Sequence, residues 1–538
     1  MNATAETMSR SNTSTLYGPI LIVIALTVAW RTILFNGPLG SDDLVYFGRA
    51  LDIATGQWTS ADYNGALRYG FNIPAGFLLW ALGNGEFQIN LWPLICSVLE
   101  VAAVWFYCKG RFGEKTALLA ATLLALTPLH VAAATRVHTD PIASFFLTLS
   151  FILFLESESR KSRTWAFAAG LAMGMVFWTK ELLGLALFSF VLWPLVVFRI
   201  ERRWIHVVAG GLLMLFAHFA LMQIISGDPL HLFKTVFGQI SRSFIAEGTG
   251  EDSPLYYFKY LLFDIRHTAL IGPLALIGIL TIAARWHTLS IQTKLDLRGL
   301  LFWLLSLMAI LSLFPVSLSP LRFAMKQSNY LTLFLAPLCI LSAIFLAHLK
   351  PRTSWPLLAL IAATAVPLAV LQQHSYRVFV SNSKAALSFA KKNPNDLIFA
   401  SRNNVNIALF DSRVSGNQET SSRFNHLTTA EPENLTRPDN KGRLIVVEDR
   451  ETLGWNKIDH LLQPIPPCWT LLEVLTPEGL PSSMIASRTA MEFATKLPAS
   501  LSERITSQLA RVSHPQPARL WQVPIENPWC VTSTSLYG

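Results

Sequence analysis

The chain has 538 residues, of which 52% are hydrophobic and only 14% are charged, and its formal net charge is +9. Because soluble domains carry about 25% charged residues, this composition excludes an ordinary soluble globular protein. The apolar residues form runs of about 20, the length that crosses the hydrocarbon core of a bilayer. No nucleic-acid-binding motif accompanies the positive charge, so we assign it to loops that orient membrane spans.

Eleven apolar segments are predicted to be membrane-spanning helices, which gives a polytopic α-helical membrane protein as the fold class. In chain order they cover residues 17–35, 87–108, 116–129, 141–155, 164–179, 182–198, 204–225, 263–284, 299–315, 328–349 and 354–371. The first segment has no small-residue cleavage site after its apolar run. It is therefore predicted to be an uncleaved span and not a signal peptide.

The loops between the predicted spans alternate in charge. Short basic linkers follow the even-numbered spans, as in the linkers that contain Lys109, Arg160 and Arg199. Longer or more acidic loops follow the odd-numbered spans. Because cytoplasmic loops are enriched in Lys and Arg, this alternation predicts a cytoplasmic amino terminus. With eleven spans, the tail of the chain then lies on the opposite side of the membrane.

The tail, residues 372–538, is predicted to be a soluble extracytoplasmic α/β domain that follows a multi-spanning membrane domain of residues 1–371. Apolar runs typical of buried strands lie at 397–400, 407–410, 444–447 and 469–475. Helical periodicity is found at 381–392, with Ser381 or Ser383 as its candidate cap, and at 484–496 and 501–511. An oxidising compartment would permit a disulfide between Cys468 and Cys530.

The first outer loop is about fifty residues long, and loops of that length are usually functional. It begins with a Gly-Ser-Asp-Asp motif that contains Asp42 and Asp43. Adjacent carboxylates beside a bilayer are costly unless they are solvated or take part in chemistry. The alternative is that Ser41 or Asp42 only caps a helix predicted to start at Leu44.

Three ionisable residues, Arg136, His138 and Asp140, lie immediately before the fourth predicted span. Asp140 followed by Pro141 is a strong helix start, since Asp can satisfy free amides and Pro suits the first turn. Asp140 could therefore be a helix cap alone. The density of charge at the edge of a membrane favours a functional site instead.

Two later boundaries also carry charge. Lys180 and Glu181 separate two apolar segments almost without a loop; snorkelling explains the lysine but not the glutamate. Arg322 and Lys326 are basic on the predicted outer side, against the positive-inside trend. They are either solvated loop charges or a binding site for a phosphate.

Carboxylates and cations on one face are the groups needed to transfer a sugar from a lipid phosphate. A carboxylate takes the proton of the attacking acceptor, and fixed cations stabilise the charge on the departing phosphate. An apolar groove between spans would hold the lipid.

These motifs resemble those of the C-type (GT-C) membrane glycosyltransferases, on the branch of the protein O-mannosyltransferases and the lipid A aminoarabinose transferase. The matching features are the acidic pair Asp42-Asp43, the Asp140-Pro141 helix start with His138 before it, the Lys180-Glu181 pair, and the stretch from Arg322 to Pro337. The family more often has Asp-Glu at the first position. It usually has a paired proline with aromatics where this chain has residues 68–74.

The resemblance implies a glycosyltransferase of a bacterial inner membrane that uses a polyprenyl-phosphate donor and an extracytoplasmic lipid, protein or glycan acceptor. It implies that Asp42 is the catalytic base and that Asp43 is its neighbour or a helix cap. The remaining expectations are orientation of the acceptor or a cation by Asp140, His138 and Glu181, and binding of the donor phosphate by Lys180, Arg322, Lys326 and Arg136.

Three alternatives stay open. A polysaccharide ligase or polymerase would share the architecture but use a lipid diphosphate donor. A transporter or flippase for lipid-linked sugars would show internal repeats and broken helices, and a non-catalytic scaffold would leave the acidic pair unused. A divalent cation such as Mg²⁺ or Mn²⁺ is a candidate cofactor, with Asp42, Asp43, Asp140 and His138 as candidate ligands.

Overall fold

The structure, a computed structural model, describes residues 18–246, 253–319, 321–324, 326–429, 442–477, 485–496 and 498–524. We refer to these as the described residues. They form a bundle of helices followed by a smaller domain built on one β-sheet.

The bundle consists of helices joined mostly by short connections. The helices are α1 (Gly18–Ile33), α2 (Asp42–Ala54), α3 (Tyr69–Leu82), α4 (Glu86–Phe112), α5 (Glu114–Leu126), α6 (Pro128–Ala134), α7 (Asp140–Arg160), α8 (Arg163–Thr179), α9 (Leu187–Val197), α10 (Ile205–Ser226), α11 (His231–Ala246), α12 (Tyr256–Phe263), α13 (Ile265–Thr268), α14 (Ile271–Ala284), α15 (Ile291–Leu313), α16 (Leu335–His348) and α17 (Pro351–Lys392). A hairpin of β1 (Pro315–Leu318) and β2 (Leu321–Phe323) lies between α15 and α16.

Among the described residues, six helices are long and apolar enough to cross a membrane, namely α4, α7, α10, α15, α16 and α17, where α10 and α16 include the 3-10 turns before them. A seventh is counted if α5 and α6, which meet at an angle of 61°, form one bent span. The bend falls at Pro128, which lacks the N–H that would continue α5. Each of the eleven predicted spans contains a helix.

Helix α17 runs without a break for 42 residues from the last predicted span into the tail. The prediction of a separate helix that starts at Ser381 or Ser383 is therefore wrong. Both serines lie inside α17, and Ser381 Oγ donates back to the Val378 carbonyl at 2.7 Å. No Gly or Pro follows Pro367 within the helix, so nothing in the local sequence ends it at the membrane boundary.

The tail is a five-stranded mixed sheet with helices packed around it. Its strands are β3 (Leu397–Ala400), β4 (Phe424–His426), β5 (Leu444–Glu448), β6 (Thr470–Leu475) and β7 (Ala518–Val523), and its helices are α18 (Arg402–Ser415), α19 (Arg450–Trp455), α20 (Ile485–Ala494) and α21 (Ala499–Ser513). The spatial order is β4-β3-β5-β7-β6. The first three strands are parallel, whereas β7 is antiparallel to β5 and β6.

The predicted strands at 397–400, 444–447 and 469–475 are confirmed, but the one at 407–410 is wrong. That segment lies inside α18, whose start is capped by Ser401 Oγ accepting from the Asn404 N–H. A short apolar run fits a buried strand and the inner face of a helix equally well. The Ser401 cap, six residues before Ile407, was the signal that distinguished the helix from a strand.

The cysteines differ by region. Cys468 in the tail is disulfide-bonded, while Cys96, Cys108 and Cys339 are buried free thiols in the bundle. The predicted partner of Cys468, Cys530, lies outside the described residues.

A buried polar network joins α1, α4, α6 and α7. The Glu100 carboxylate accepts from Ser144 Oγ at 2.9 Å and Thr148 Oγ1 at 2.8 Å, and His130 Nε2 lies 3.2 Å from it. Arg31 Nη2 lies 2.7 Å from His130 Nδ1. Because arginine can only donate, His130 Nδ1 is the acceptor and its proton is on Nε2. The neutral imidazole therefore connects the charges of Arg31 and Glu100.

We expect Glu100→Ala to lower the free energy of unfolding by about 3–5 kcal/mol, because it leaves the buried Arg31 without a counter-charge. Thermal unfolding of the purified protein in detergent measures the effect. Glu114→Ala, at an exposed position in the first turn of α5, is the matched control and should cost about 0.3–1 kcal/mol. Equal losses for the two variants would contradict the role of the network.

Candidate active site

The acidic pair between α1 and α2 occupies two different environments. Asp43 is buried, and its carboxylate accepts the backbone N–H groups of residues 39–41 at 2.5–3.1 Å. Burial raises the pKa of Asp43, and these backbone hydrogen bonds oppose the rise. Asp42 is exposed and accepts from the Tyr63 hydroxyl at 2.9 Å. Asp43 thus holds the loop in shape, and Asp42 is accessible to a substrate.

The alternative that Ser41 or Asp42 serves only as a helix cap does not describe this loop. Ser41 is the N-cap residue of α2, yet it makes no capping hydrogen bond through its side chain. Burial and the Asp42 carboxylate raise the pKa of Tyr63 to about 12, so the Tyr63 hydroxyl stays protonated and donates to Asp42 at neutral pH.

Asp140 starts α7, and its carboxylate binds side chains. Lys180 Nζ lies 2.5 Å from Oδ1 and His138 Nδ1 lies 2.6 Å from Oδ2. The N-cap position belongs to Thr139. A capping role alone therefore does not account for Asp140; it holds a buried lysine and a histidine together.

Burial shapes the protonation of these two partners. It lowers the pKa of Lys180, although the Asp140 carboxylate opposes the change. It also lowers the pKa of His138 below the usual 6.5 against the same carboxylate, so His138 is neutral at pH 7. The Lys180 ammonium lies 4.3 Å from the centre of the Tyr330 ring, which fixes the cation from a second side.

Glu181 pairs with Arg68 and not with its neighbour Lys180. Arg68 Nε lies 3.3 Å from Glu181 Oε2, and Asn64 Nδ2 donates to Oε1 at 2.9 Å. Arg68 also contacts the Tyr46 hydroxyl. Burial by itself would lower the pKa of Arg68, but Glu181 and Tyr46 outweigh it and hold the pKa well above the usual value. No motif in the sequence indicated that Arg68 would pair with Glu181.

A cavity of about 720 Å³ opens beside Asp42, between the bundle and the tail. One wall belongs to the α1–α2 loop, the segment before α7 and the segment before α16. The other belongs to α17 and the tail. The lining residues are Gly37, Leu39, Ser41, Asp42, Asp43, Arg136, Val137, His138, Gln327, Ser328, Asn329, Tyr376, Phe379, Asn403, Glu451, Gly454, Trp455 and Arg511.

The structure places most of the predicted site residues in or directly behind this cavity. Asp42, Asp43, Arg136 and His138 line it. Behind His138, the neighbouring Asp140 carboxylate contacts Lys180, and Glu181 follows Lys180 in the chain.

Of the two basic residues predicted before α16, the structure describes the side chain of one. Lys326 is buried, with its ammonium 5.1 Å from the centre of the Phe323 ring, and it precedes the cavity-lining Gln327. The side chain of Arg322 lies outside the described residues.

The wall formed by α17 and the tail contains aromatic rings and the cation Arg511. Arg136 stacks on Tyr376 of α17, with 4.6 Å between the guanidinium carbon and the ring centre. Arg511 pairs with Glu451 at 2.8 Å. Guanidinium groups from both walls, Arg136 of the bundle and Arg511 of the tail, therefore lie beside aromatic rings of α17, with 5.8 Å between Arg511 and the centre of the Phe379 ring.

The residues present do not fit the divalent-cation site suggested by the sequence. Within the part of the chain that the structure describes, no group of three or more His, Cys, Asp and Glu side chains is arranged to hold a metal ion. The Asp43 carboxylate is taken up by backbone amides, and that of Asp140 by Lys180 and His138.

Comparisons of the sequence give a partial match to membrane glycosyltransferases. The family described as dolichyl-phosphate-mannose-protein mannosyltransferase matches residues 73–222. A protein of Edwardsiella ictaluri named undecaprenyl phosphate-alpha-4-amino-4-deoxy-L-arabinose arabinosyl transferase is 25% identical over 248 residues, 43% of each chain. A Yersinia pestis protein of the same name is 29% identical over 123 residues, 22% of each chain. The matched region spans less than half the length of these relatives.

Comparisons of the structure cover nearly the whole chain. The apo structure of ArnT from Cupriavidus metallidurans superposes with a TM-score of 0.56 at 17% identity, over 87% of this chain and 97% of that one. The same protein bound to undecaprenyl phosphate gives a TM-score of 0.54 at 15% identity, over 86% and 96%. The oligosaccharyltransferase AglB from Archaeoglobus fulgidus, in complex with an inhibitory peptide and a dolichol-phosphate, gives 0.51 at 11% identity, over 95% and 89%.

At these identities the structural matches establish the fold, and the sequence matches point to the same group of proteins. The resemblance to the C-type membrane glycosyltransferases, on the branch of the lipid A aminoarabinose transferase, is therefore confirmed, and this chain has their fold.

Proposed function

We propose that this chain is a membrane glycosyltransferase that moves a sugar from a polyprenyl-phosphate donor to an acceptor outside the cytoplasm. The observation that carries the proposal is the exposed Asp42 carboxylate in the lining of a cavity of about 720 Å³, with the buried Asp140–Lys180 pair behind the lining residue His138. Relatives named as undecaprenyl-phosphate-sugar transferases support the donor class.

In the proposed reaction, Asp42 is the general base. As an acceptor hydroxyl attacks the anomeric carbon, Asp42 takes its proton, and the bond from that carbon to the donor phosphate oxygen breaks. Asp43 does not react, because its two oxygens already accept backbone hydrogen bonds. Its role is to hold the loop so that Asp42 faces the cavity.

The leaving phosphate is proposed to bind at Lys180, with Arg68 as a second cation. Asp140 engages Lys180 on one side, and the ammonium has three donor hydrogens. Glu181 and Tyr46 similarly fix the guanidinium of Arg68. Cations held in this way stabilise charge on the phosphate without having to reorganise during the reaction. Arg136, Arg322 and Lys326 stay further candidates for phosphate binding.

We further propose a bacterial inner-membrane protein with eleven spans, a cytoplasmic amino terminus and an extracytoplasmic tail. The basic linkers after alternate spans support this orientation. Residues 1–371 would be the membrane domain and residues 372–538 the tail domain, with α17 continuous across the boundary. His138, Glu181 and the cavity wall formed by the tail would then orient the acceptor.

The donor class is tested with purified protein in vesicles, an envelope extract as acceptor, and 4-amino-4-deoxy-L-arabinose or mannose linked to undecaprenyl phosphate or to the diphosphate. We expect transfer from a monophosphate donor, with release of free undecaprenyl phosphate. Transfer from the diphosphate donors alone would favour a ligase or polymerase. Movement of intact donor across the vesicle membrane without release of the lipid would favour a flippase.

As the pH rises, binding of undecaprenyl phosphate is expected to weaken. This loss should begin at a lower pH than it would if a solvent-exposed lysine bound the phosphate. Because the pKa of Lys180 lies below its usual 10.5, the ammonium loses its proton, and its attraction for phosphate, earlier as the pH rises. Equilibrium binding measured from about pH 7 to about pH 10 should therefore fall on the alkaline side. Lys180→Arg, which keeps its charge, should stay flat, and identical profiles would contradict the assignment.

A further inference from the structure

The tail reaches the loop that carries Asp42 through two asparagine side chains of α18. Asn403 Nδ2 lies 3.3 Å from the Leu39 carbonyl oxygen and 3.1 Å from that of Gly40. Asn406 Nδ2 donates to the same Gly40 oxygen at 2.9 Å. The Gly40 carbonyl thus accepts two hydrogen bonds from the tail, and both asparagines are buried.

The first of these asparagines is itself fixed by the tail. Asn456 Nδ2 donates to Asn403 Oδ1 at 2.7 Å and also contacts the Thr452 carbonyl at 2.6 Å. The hydrogen bond from Asn456 fixes the orientation of the Asn403 side-chain amide, so that its N–H donor faces the loop. The Ser401 cap fixes the start of α18, the helix that carries Asn403. The clamp, defined as Asn403, Asn406 and Asn456, is part of the packed tail.

The two helices behind these hydrogen bonds also pack closely. The rings of Phe47 on α2 and Phe410 on α18 have centres 4.5 Å apart. Gly40 has a φ of +74°, and a Cβ atom there would lie 2.6 Å from the Asn403 carbonyl oxygen. The loop therefore approaches α18 more closely than a side chain at position 40 would allow.

We propose that the clamp positions Asp42 for reaction, so that the tail is a working part of the active site. Two sets of hydrogen bonds fix the loop. The Gly40 carbonyl accepts from the tail, and the buried Asp43 carboxylate accepts from the backbone N–H groups of residues 39–41. Asp42 lies between Asp43 and this doubly held segment. The proposal rests on the function proposed above, in which Asp42 is the base.

The test replaces the two donors by groups of the same shape. Asn403→Asp and Asn406→Asp remove the N–H donor and set a carboxylate oxygen against the carbonyl. We expect kcat to fall about 10- to 100-fold with KM for the undecaprenyl-phosphate-linked sugar changed less than about twofold, because a displaced base affects the reacting geometry and the donor phosphate binds elsewhere. Asn417→Asp, exposed in the same domain, should match wild type.

A second measurement needs no substrate. Hydrogen–deuterium exchange of the amides at 39–41 should become at least about tenfold faster in both aspartate variants. The loop is expected to open locally when a hydrogen bond from the tail to the Gly40 carbonyl is lost. Exchange reports on the clamp even if the chain proves not to be a glycosyltransferase, so failure of the clamp and failure of the proposed function are distinguishable.

Two glycines provide a matched pair. Gly40 and Gly56 have φ values of +74° and +78°, but a Cβ atom at Gly56 meets nothing within 4 Å. Gly40→Ala should therefore lower kcat and speed exchange, whereas Gly56→Ala should do neither. Wild-type kcat and exchange in an Asn403→Asp/Asn406→Asp double variant would overturn the proposal. Faster exchange with unchanged kcat would also overturn it, since the contact would then serve only to dock the tail.

Discussion

Asp42→Asn is expected to reduce the rate of sugar transfer by about 10²- to 10⁴-fold, the usual contribution of a general base. The amide has the same shape but cannot take the proton of the acceptor. Because Asp42 is exposed and its oxygen can still accept from Tyr63, the fold and the binding of undecaprenyl phosphate should be preserved. Initial rates in vesicles, with binding measured in parallel, check this result.

Asp62→Asn is the matched control for this substitution. Asp62 lies between α2, which carries Asp42, and α3, and its side chain is fully exposed, so the variant should retain the wild-type rate. Asp43→Asn should lose activity together with stability, since an amide nitrogen cannot accept the backbone N–H groups that now bind the carboxylate. Full activity in Asp42→Asn would remove Asp42 from the mechanism.

Asp140→Ala is expected to lower the free energy of unfolding by about 3–5 kcal/mol, because it leaves a buried ammonium without its partner. The side chain of Lys180 is only 6% exposed and that of Asp140 1%. The double variant Asp140→Leu/Lys180→Met removes both charges and should recover most of that stability. It should still bind undecaprenyl phosphate more weakly than the wild type, since Arg68 is the only one of the two proposed cations that remains. Thermal unfolding and lipid binding in detergent separate the two effects.

An exposed ion pair in the same chain is the control for the stability lost when one partner of a buried pair is removed. Asp228 and Lys234 also lie close, at 2.6 Å, but their side chains are 30% and 69% exposed. Asp228→Ala should cost far less stability than Asp140→Ala, because solvent already screens the charges of the exposed pair. The account of the buried pair is wrong if Asp140→Ala costs no more than Asp228→Ala, or if the double variant is no more stable than the single one.

The sequence was most informative where chemistry and helix boundaries coincide. Apolar run length located a helix at each predicted span. The positions of Asp42, Asp140 and Lys180 at the ends of apolar runs were sufficient to make them candidate site residues, because charged residues beside a membrane are rare.

The pairing within the site could not be predicted. Lys180 and Glu181 are neighbours in the chain, yet they bind Asp140 and Arg68, which lie 40 and 113 residues away. Adjacent residues point in different directions, so proximity in sequence does not predict a bond between them. The pairing of Arg68 with Glu181 was missed because nothing around Arg68 distinguishes it from a solvated loop cation.

The contact between the tail and the loop that precedes Asp42 could not be predicted for a different reason. Asn403, Asn406 and Asn456 are neutral and occur in a stretch that reads as ordinary polar sequence, and no periodicity indicates that they face another domain. The misassigned strand at 407–410 compounded this, because α18 is the element that carries Asn403 and Asn406. Only the packing of α18 on α2 reveals their partners.

The most direct test of the central claim is mass spectrometry of envelope lipids and glycoproteins from cells that produce either the wild-type chain or Asp42→Asn at equal levels. With the wild-type chain, one envelope component should carry an additional sugar mass. With Asp42→Asn, that component should lose the mass while a polyprenyl-phosphate-linked sugar accumulates. Identical lipid and glycoprotein spectra from the two strains would contradict a glycosyltransferase that depends on Asp42.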